Sequence, residues 1–386
     1  MKIVHVGKFF YPYQGGMENF LTDLTLEQAS VDLDTSVIVH HHKRFELTSH
    51  ERIENVAITR TLTLGQMVYA PLAPSFGYHL AKAITVKQPD IIHAHLPNLS
   101  AFWLLSIDRK IPLLLQWQSD VVRSKVDGRL SFLYPLYRVL EKKLLERAQA
   151  IIVSSENYLR GSDVLQPFKE KISTIPLGIN LNRLYRPTQK EMGDIRGRFG
   201  RFLVLSVGRF TYYKGFQYLI DAAKDVPDTS FVIVGDGPLR SKLIRRISQA
   251  GLKNRFFLPG ALPDRKLHTI LASCDVFCLP SIERTEAFGI VLLEAMAFGK
   301  PLITTDIEGS GVNWVNLAEE TGLVVRSADA AALAEGINSL LNDTEMRIEM
   351  GHRARERLDR LFRIQPVSEK IRNLYSTIQT PPARGS

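Results

Sequence analysis

The run Glu286-Ala287-Phe288-Gly289-Ile290-Val291-Leu292-Leu293-Glu294 places two carboxylates around a glycine that opens an apolar stretch of helical period. A glycine at the mouth of a helix frees backbone N–H groups to face a ligand, and the helix dipole adds positive potential there, so this spot suits an anion or a sugar hydroxyl. Eight residues make a little over two helical turns, about 12 Å of axis. The two carboxylates therefore contact different parts of one long ligand or do unrelated work. Upstream, Gly208-Arg209-Phe210-Thr211-Tyr212-Tyr213-Lys214-Gly215 follows one apolar run and opens another helix. Two cations on a glycine-containing turn make a clamp for a diphosphate. A third junction, Gly235-Asp236-Gly237-Pro238, is a tight turn too short for a dinucleotide fingerprint.

Such side chains act only where strands and helices hold them. Ile3–Val6, Ser36–Val39, Ile91–His93, Leu113–Gln116 and Ile151–Ser154 read as buried strands. Helical periods run through Met17–Gln28, Phe76–Val86, Leu99–Ile107 and Phe132–Arg147. The alternation predicts a parallel, doubly wound sheet. It then restarts with strands at Phe202–Val207, Ser230–Val234, Arg255–Leu258, Asp275–Leu279, Pro301–Thr304 and Thr321–Val325. The expected architecture is α/β, two Rossmann-like doubly wound domains facing a cleft, with ligands outside the carboxyl ends of the strands. Pro176-Leu177-Gly178-Ile179-Asn180 and the polar stretch Asn182–Arg201 read as hinge and linker. The domains are then 1–183 and 184–365, with 366–386 a C-terminal helix packing back on the first domain and a frayed tail, Thr380–Ser386.

Several segments in order resemble one family. Gly208-Arg209…Lys214-Gly215, Val234-Gly235-Asp236-Gly237-Pro238, Leu279-Pro280-Ser281 and Glu286-Ala287-Phe288-Gly289 through Glu294 to Gly299-Lys300-Pro301 look like the GT4 family of retaining glycosyltransferases, of GT-B fold. Sucrose synthase and bacterial α-mannosyltransferases belong to that family. In the first half Gly15-Gly16-Met17-Glu18, Pro89-Asp90-Ile91-Ile92-His93-Ala94-His95 and Pro176-Leu177-Gly178-Ile179-Asn180 match its landmarks, so the resemblance covers nearly the whole chain.

What the resemblance implies is a nucleotide-diphosphate sugar held mainly by the second domain, and no separate cofactor. Arg209 and Lys214 would bind the diphosphate and stabilise the charge that grows there as the glycosidic bond breaks. Glu294 would take the ribose hydroxyls. Glu286 would lie by the transferred sugar, with the amides of Phe288, Gly289 and Ile290 on sugar or phosphate oxygens. Backbone atoms of Leu262 would meet the base, and Gly15 and Gly16 would let the first domain's backbone approach the sugar and phosphates.

Two positions depart from the pattern. Where many relatives have Trp-His-Ser-Asp this chain has Trp117-Gln118-Ser119-Asp120. Gln118 donates and accepts hydrogen bonds but takes no proton at neutral pH, so either it only positions a hydroxyl or the enzyme is weakened. Glu308-Gly309-Ser310-Gly311 replaces a Gly-Gly pair followed by Glu.

Other polar clusters read as structural. His40-His41-His42 alternate faces at a strand end and suit a solvated loop start. His93 and His95 share a face, but without a third imidazole or a carboxylate they read as packing. Asp32-Leu33-Asp34 falls in a polar turn before a strand and reads as surface, so no metal requirement is expected. Cys274 and Cys278 lie four apart on one strand, about 13 Å, beyond disulfide reach, and read as buried thiols in a reducing compartment.

The chain has 386 residues, 45% hydrophobic and 23% charged, the balance of a globular protein. Its net charge of +9 calls for an anionic partner, but no nucleic-acid motif accompanies it. Segment 109–147 holds nine Lys or Arg against four Asp or Glu. Within it Leu133, Leu136, Tyr137, Leu140 and Leu144 repeat at helical spacing beside Arg138, Lys142, Lys143 and Arg147. This is either an amphipathic helix packed on its domain or a peripheral contact to anionic lipid through Phe132, Tyr134 and Tyr137. No signal peptide or span of 18 apolar residues is read, and a cytoplasmic location, peripheral at the membrane's inner face, is expected.

The leading expectation is retaining, metal-independent transfer of a hexose, mannose from GDP-mannose, to a lipid-linked or glycan acceptor in lipopolysaccharide or related surface polysaccharide synthesis. A UDP-hexose donor is the runner-up. A silent nucleotide-sugar-binding subunit is kept because of Gln118, and a nicotinamide oxidoreductase is disfavoured because no Gly-x-Gly-x-x-Gly follows Ile3–Val6.

Overall fold

In the computed structural model, residues 1–67, 70–121 and 128–379 are described. The expected tail Thr380–Ser386 and residues 122–127 of the basic segment lie outside them. Chain contacts define two units, Met1–Gly178 together with Ile364–Ser386, and Ile179–Arg363.

The first unit contains β1 (Lys2–Val6), β2 (Asp34–His40), β3 (Ser49–Ile53), β4 (Val56–Thr61), β5 (Gly65–Met67), β6 (Ala70–Leu72), β7 (Ile91–Leu96), β8 (Leu113–Trp117), β9 (Ala150–Val153) and β10 (Ile172–Thr174). Eight of these form one sheet in the order β10-β9-β8-β7-β1-β2-β4-β3. Only β3 runs antiparallel, against β4. Helices cover the central strands, which is why those strands read as continuous apolar runs. The sequence reading missed β3 and β4. Ser49–Ile53 is an edge strand with a polar, mostly exposed face, so it lacks the alternation that marks a half-buried strand.

Other expectations are corrected here. Leu99–Ser106 is a 3-10 helix, opened by the Asn98 side chain accepting from the Ser100 amide, where an α-helix was expected. His40 is not part of a solvated loop. It ends β2, fully buried, between the Lys8 carbonyl and the Ser100 hydroxyl. Asp32 and Asp34 are exposed, as read.

The helix Gly128–Arg147 is longer than its apolar period and contains Pro135. Its second half packs through Leu144 and Leu145, but Phe132, Leu136 and Val139 are 84%, 61% and 52% exposed. Leu133 and Leu136, assigned by spacing to the packed face, thus stand on the surface. Among the described residues no helix is long and apolar enough to cross a membrane.

The helix Ile364–Gln379 packs on Gly16–Ser30 of the first unit. Its Tyr375 is fully buried against His93 and Gln28.

The second unit is a parallel six-stranded sheet of β11 (Phe202–Val207), β12 (Thr229–Val234), β13 (Phe256–Gly260), β14 (Val276–Leu279), β15 (Leu302–Asp306) and β16 (Gly322–Arg326). The order is β13-β12-β11-β14-β15-β16, so the winding reverses between β11 and β14. Phe210, Phe216, Phe231, Ile303 and Leu340 belong to its core. Cys274 and Cys278 are buried free thiols, as expected.

Residues 182–201 are not a linker. They hold the helix Gln189–Phe199, started by a Thr188–Glu191 capping box and packed on Asp264–Ser273. Arg196 clamps Asp275 through two hydrogen bonds of 2.6 and 2.9 Å. Its high polarity hid a helix whose start signal, Thr followed three residues later by Glu, was present.

Candidate active site

Adjacent strands where a doubly wound sheet reverses leave a crevice at their carboxyl ends, and here those strands are β11 and β14. The loop after β11 carries Gly208, Arg209 and Lys214, and the loop after β14 carries Pro280, Ser281 and Glu286. The two loops are tied by the Ile282 amide donating to the Tyr213 carbonyl at 2.7 Å.

Gly215 makes this contact possible. Its φ of +66° lies in the left-handed region, and a Cβ there would fall 1.9 Å from the Pro280 carbonyl oxygen.

Lys214 lies along Gly208, where a Cβ would meet its Cε at 3.1 Å. Its Nζ stands 2.5 Å from Glu286 Oε2. The Ser281 hydroxyl donates to the same oxygen at 2.9 Å. Burial works against the Lys214 ammonium, but the Glu286 charge and hydrogen bond outweigh it, so Lys214 titrates above the usual lysine range. A cation, a carboxylate and a hydroxyl therefore converge in a nearly dry place beside an exposed Arg209. Charges in so dry a setting interact far more strongly than they do in water.

Two residues that sequence reasoning did not assign hold Glu286 in place. The Ser310 hydroxyl donates to the Glu286 carbonyl at 2.5 Å, and the Gly311 amide donates to the Ala287 carbonyl at 2.8 Å. The departure at Glu308-Gly309-Ser310-Gly311 is thus a backbone brace for the Glu286 turn. Ser281 was equally unassigned. Its signal was its place, two residues beyond the last residue of β14.

Gly289 opens the helix Ile290–Ala297 with φ +76°. Phe288 is buried against Trp314 and Phe362, with ring centroids 6.3 and 5.9 Å away. Ile290 is partly exposed at the helix mouth. Glu294 lies within that helix, buried, with Arg183 Nη2 at 3.5 Å from its Oε1. Arg183 is a further residue missed from sequence. Leu262 is half-buried in the turn between β13 and the helix Asp264–Ser273.

Gly15, Gly16 and Gln118 belong to the first unit. Gly15 is the N-cap of the helix Gly16–Ser30. Gln118 follows β8, buried, and neither its Nε2 nor its Oε1 has a hydrogen-bond partner among the described residues. Asp120, by contrast, is fully engaged, accepting from Trp117 Nε1 at 2.8 Å and from the Ser162 hydroxyl at 2.9 and 3.0 Å.

With this geometry in view, residues 14–183 match the family model described as Glycosyltransferase Family 4, and residues 189–357 match that of Glycosyl transferases group 1. The chain is 30% identical over 381 residues to the O-antigen chain mannosyltransferase C of Escherichia coli, covering 98% of this chain and 99% of that protein. It is 34% identical over 279 residues to the D-rhamnosyltransferase WbpZ of Pseudomonas aeruginosa, covering 71% of this chain and 70% of the relative. In fold it is similar to the sucrose-phosphate synthase of Thermosynechococcus elongatus, a GT-B structure, with a TM-score of 0.80 and 23% identity over 98% of this chain and 99% of the other. Both units are accounted for, and the chain belongs to the GT4 family of GT-B glycosyltransferases.

Proposed function

We propose that this glycosyltransferase moves a hexose, mannose from GDP-mannose, onto a lipid-linked or glycan acceptor of a surface polysaccharide, with retention and without a divalent cation at the diphosphate. The observation that carries the reading is the buried Lys214–Glu286–Ser281 cluster at the sheet's reversal point. The mannosyl activity and O-antigen substrate named for the Escherichia coli relative support the donor and the pathway class. A UDP-hexose is the second reading, because a base met through backbone atoms leaves little trace in side chains.

Lys214 and Arg209 take the diphosphate oxygens. As the bond from the anomeric carbon to the phosphate oxygen breaks, its electron pair passes to that oxygen and the two cations hold it. The acceptor hydroxyl bonds to the same face of the anomeric carbon and gives its proton to the departing phosphate, so the configuration is kept. Glu286 orients the sugar hydroxyls, Glu294 binds the ribose, and the amides of Phe288, Gly289 and Ile290 complete the sugar and phosphate contacts. Leu262 meets the base, and Gly15, Gly16 and Gln118 are donor-binding residues on the same reading.

The exposed Phe132, Leu136 and Val139, one helix face next to Lys142 and Lys143, support peripheral contact with anionic lipid, where a lipid-linked acceptor resides.

Purified protein incubated with an isolated surface-polysaccharide glycan as acceptor and GDP-mannose, UDP-glucose or UDP-galactose, in the presence of chelator, tests the reading. Release of GDP from GDP-mannose, and an α-linked product by the one-bond carbon–proton coupling at the anomeric carbon, are expected. Release from a UDP-sugar alone replaces the donor, an inverted product overturns retention, and tight binding without any release identifies a silent subunit.

A further inference from the structure

The first unit contains a second polar cluster that transfer does not use. The parallel pairing of β1 and β7 sets His5 beside His93 in register, and His95 follows two residues on. Residues in register and residues two apart point to the same side of a sheet, so three imidazoles share one face. Gln116 of β8, in register with His95, joins them. All four are buried. The third imidazole that His93 and His95 lacked in the sequence reading is therefore His5, almost ninety residues earlier.

One nitrogen from each ring lies within 4.8 Å of the other two. His5 Nδ1 is 3.1 Å from His95 Nε2. That is close to the ~3.3 Å edge of a tetrahedron whose metal–nitrogen bonds are about 2.0–2.1 Å. Outer partners fix two of the rings, as they do for metal-binding histidines. His5 Nε2 is 2.9 Å from Gln28 Oε1, and His93 Nδ1 is 2.7 Å from the Tyr375 hydroxyl. The Gln28 amide in turn donates to that hydroxyl at 3.1 Å. His93 Nε2 is buried with no hydrogen-bond partner among the described residues. A buried, unpaired ring nitrogen is costly unless something occupies it.

We propose that His5, His93 and His95 form a structural site for one transition-metal dication of the zinc class. Imidazole donors suit zinc, cobalt, nickel or copper, and the oxygen-poor surroundings exclude magnesium and calcium. The ion crosslinks β1 to β7 and, through Tyr375, the C-terminal helix Ile364–Gln379.

The test uses the full chain purified without a polyhistidine tag. Metal content is read directly, and protein unfolded, stripped and refolded with cobalt is read by visible absorption. One equivalent per chain and the intense bands of tetrahedral cobalt are expected. His95→Gln should lose the equivalent, and Tyr375→Phe should weaken affinity by about 10- to 100-fold. A variant carrying His41→Ala, His42→Ala, His50→Ala and His79→Ala, which removes the surface histidine pairs, should keep it. Absence of metal from both wild-type preparations overturns the site, as does an octahedral cobalt spectrum or binding lost with the surface histidines. Binding that survives His95→Gln does the same. If His95→Gln does not fold, the wild-type spectrum and the surface variant still decide.

Discussion

Lys214 Nζ and Glu286 Oε2 stand 2.5 Å apart, and each side chain is only one-tenth exposed. The cation proposed for the donor diphosphate is thus paired with the carboxylate proposed for the sugar. The pair cannot be dismantled one partner at a time without stranding a buried charge.

Glu286→Ala should therefore do two things. Transfer should fall about 10²- to 10³-fold while nucleotide affinity changes little. Stability should fall by about 3 kcal/mol, because the Lys214 ammonium is left buried alone. Added nucleotide diphosphate should then raise the melting temperature more in the variant than in the wild type, since its phosphates replace the lost charge. Full activity in Glu286→Ala contradicts the assignment.

Ser310→Ala removes the hydroxyl that fastens the Glu286 carbonyl and also accepts from the Val312 amide. A loss of about 1–3 kcal/mol in chemical denaturation is expected. Turnover should drop with donor KM nearly unchanged, because the turn carrying Glu286 loosens while the diphosphate contacts stay. A KM effect alone would place Ser310 in substrate binding instead.

Gln118 hides two amide atoms that have no partner among the described residues. Gln118→Leu should leave stability unchanged or raise it by about 1 kcal/mol, while donor KM rises several-fold. A destabilised variant with normal kinetics would make Gln118 a structural residue.

Glu141 gives the protein a pH response. Burial raises its carboxyl from 4.5 to about 7, against the opposing pull of Arg138. The folded state prefers the protonated form, so this contribution is complete below about 4.5 and lost as pH rises through about 7. Glu141→Gln should flatten the fall in melting temperature between about pH 5 and pH 8 and melt about 2–4 °C above wild type at the upper end. Parallel melting curves for the two proteins would count against it.

For the lipid contact, Phe132→Ser/Leu136→Ser should reduce sedimentation with anionic vesicles, and Lys142→Glu/Lys143→Glu should do so most at low salt. Equal sedimentation of all three proteins would remove the membrane role.

The sequence made the sheets legible wherever strands are buried on both faces, as in Ile91–Leu96 or Phe231–Val234, because there composition alone marks them. It failed at Ser49–Ile53, where an edge strand keeps a polar face. It failed also at Gln189–Phe199, where a polar helix depends on its cap more than on apolar period. The site divides in the same way. Lys214 and Glu286 stand in local motifs that bring them forward as candidates, whereas Ser310 acts on Glu286 across 24 residues of chain and Arg183 on Glu294 across 111. Nothing local announces a partner that far away, and His5 was invisible beside His93 for the same reason.

The second unit begins and ends on one small bridge, Ile179 with Arg363, reinforced by the Ile179 amide on the Phe362 carbonyl at 2.8 Å. It is in effect an insertion within the first unit, whose last helix, Ile364–Gln379, comes after it. On the ribosome the first unit must therefore wait for Ile364–Gln379 to bury Tyr375, while the second unit, made in between, is complete before it. A premature stop after Arg363 would leave the second unit whole and cripple the first.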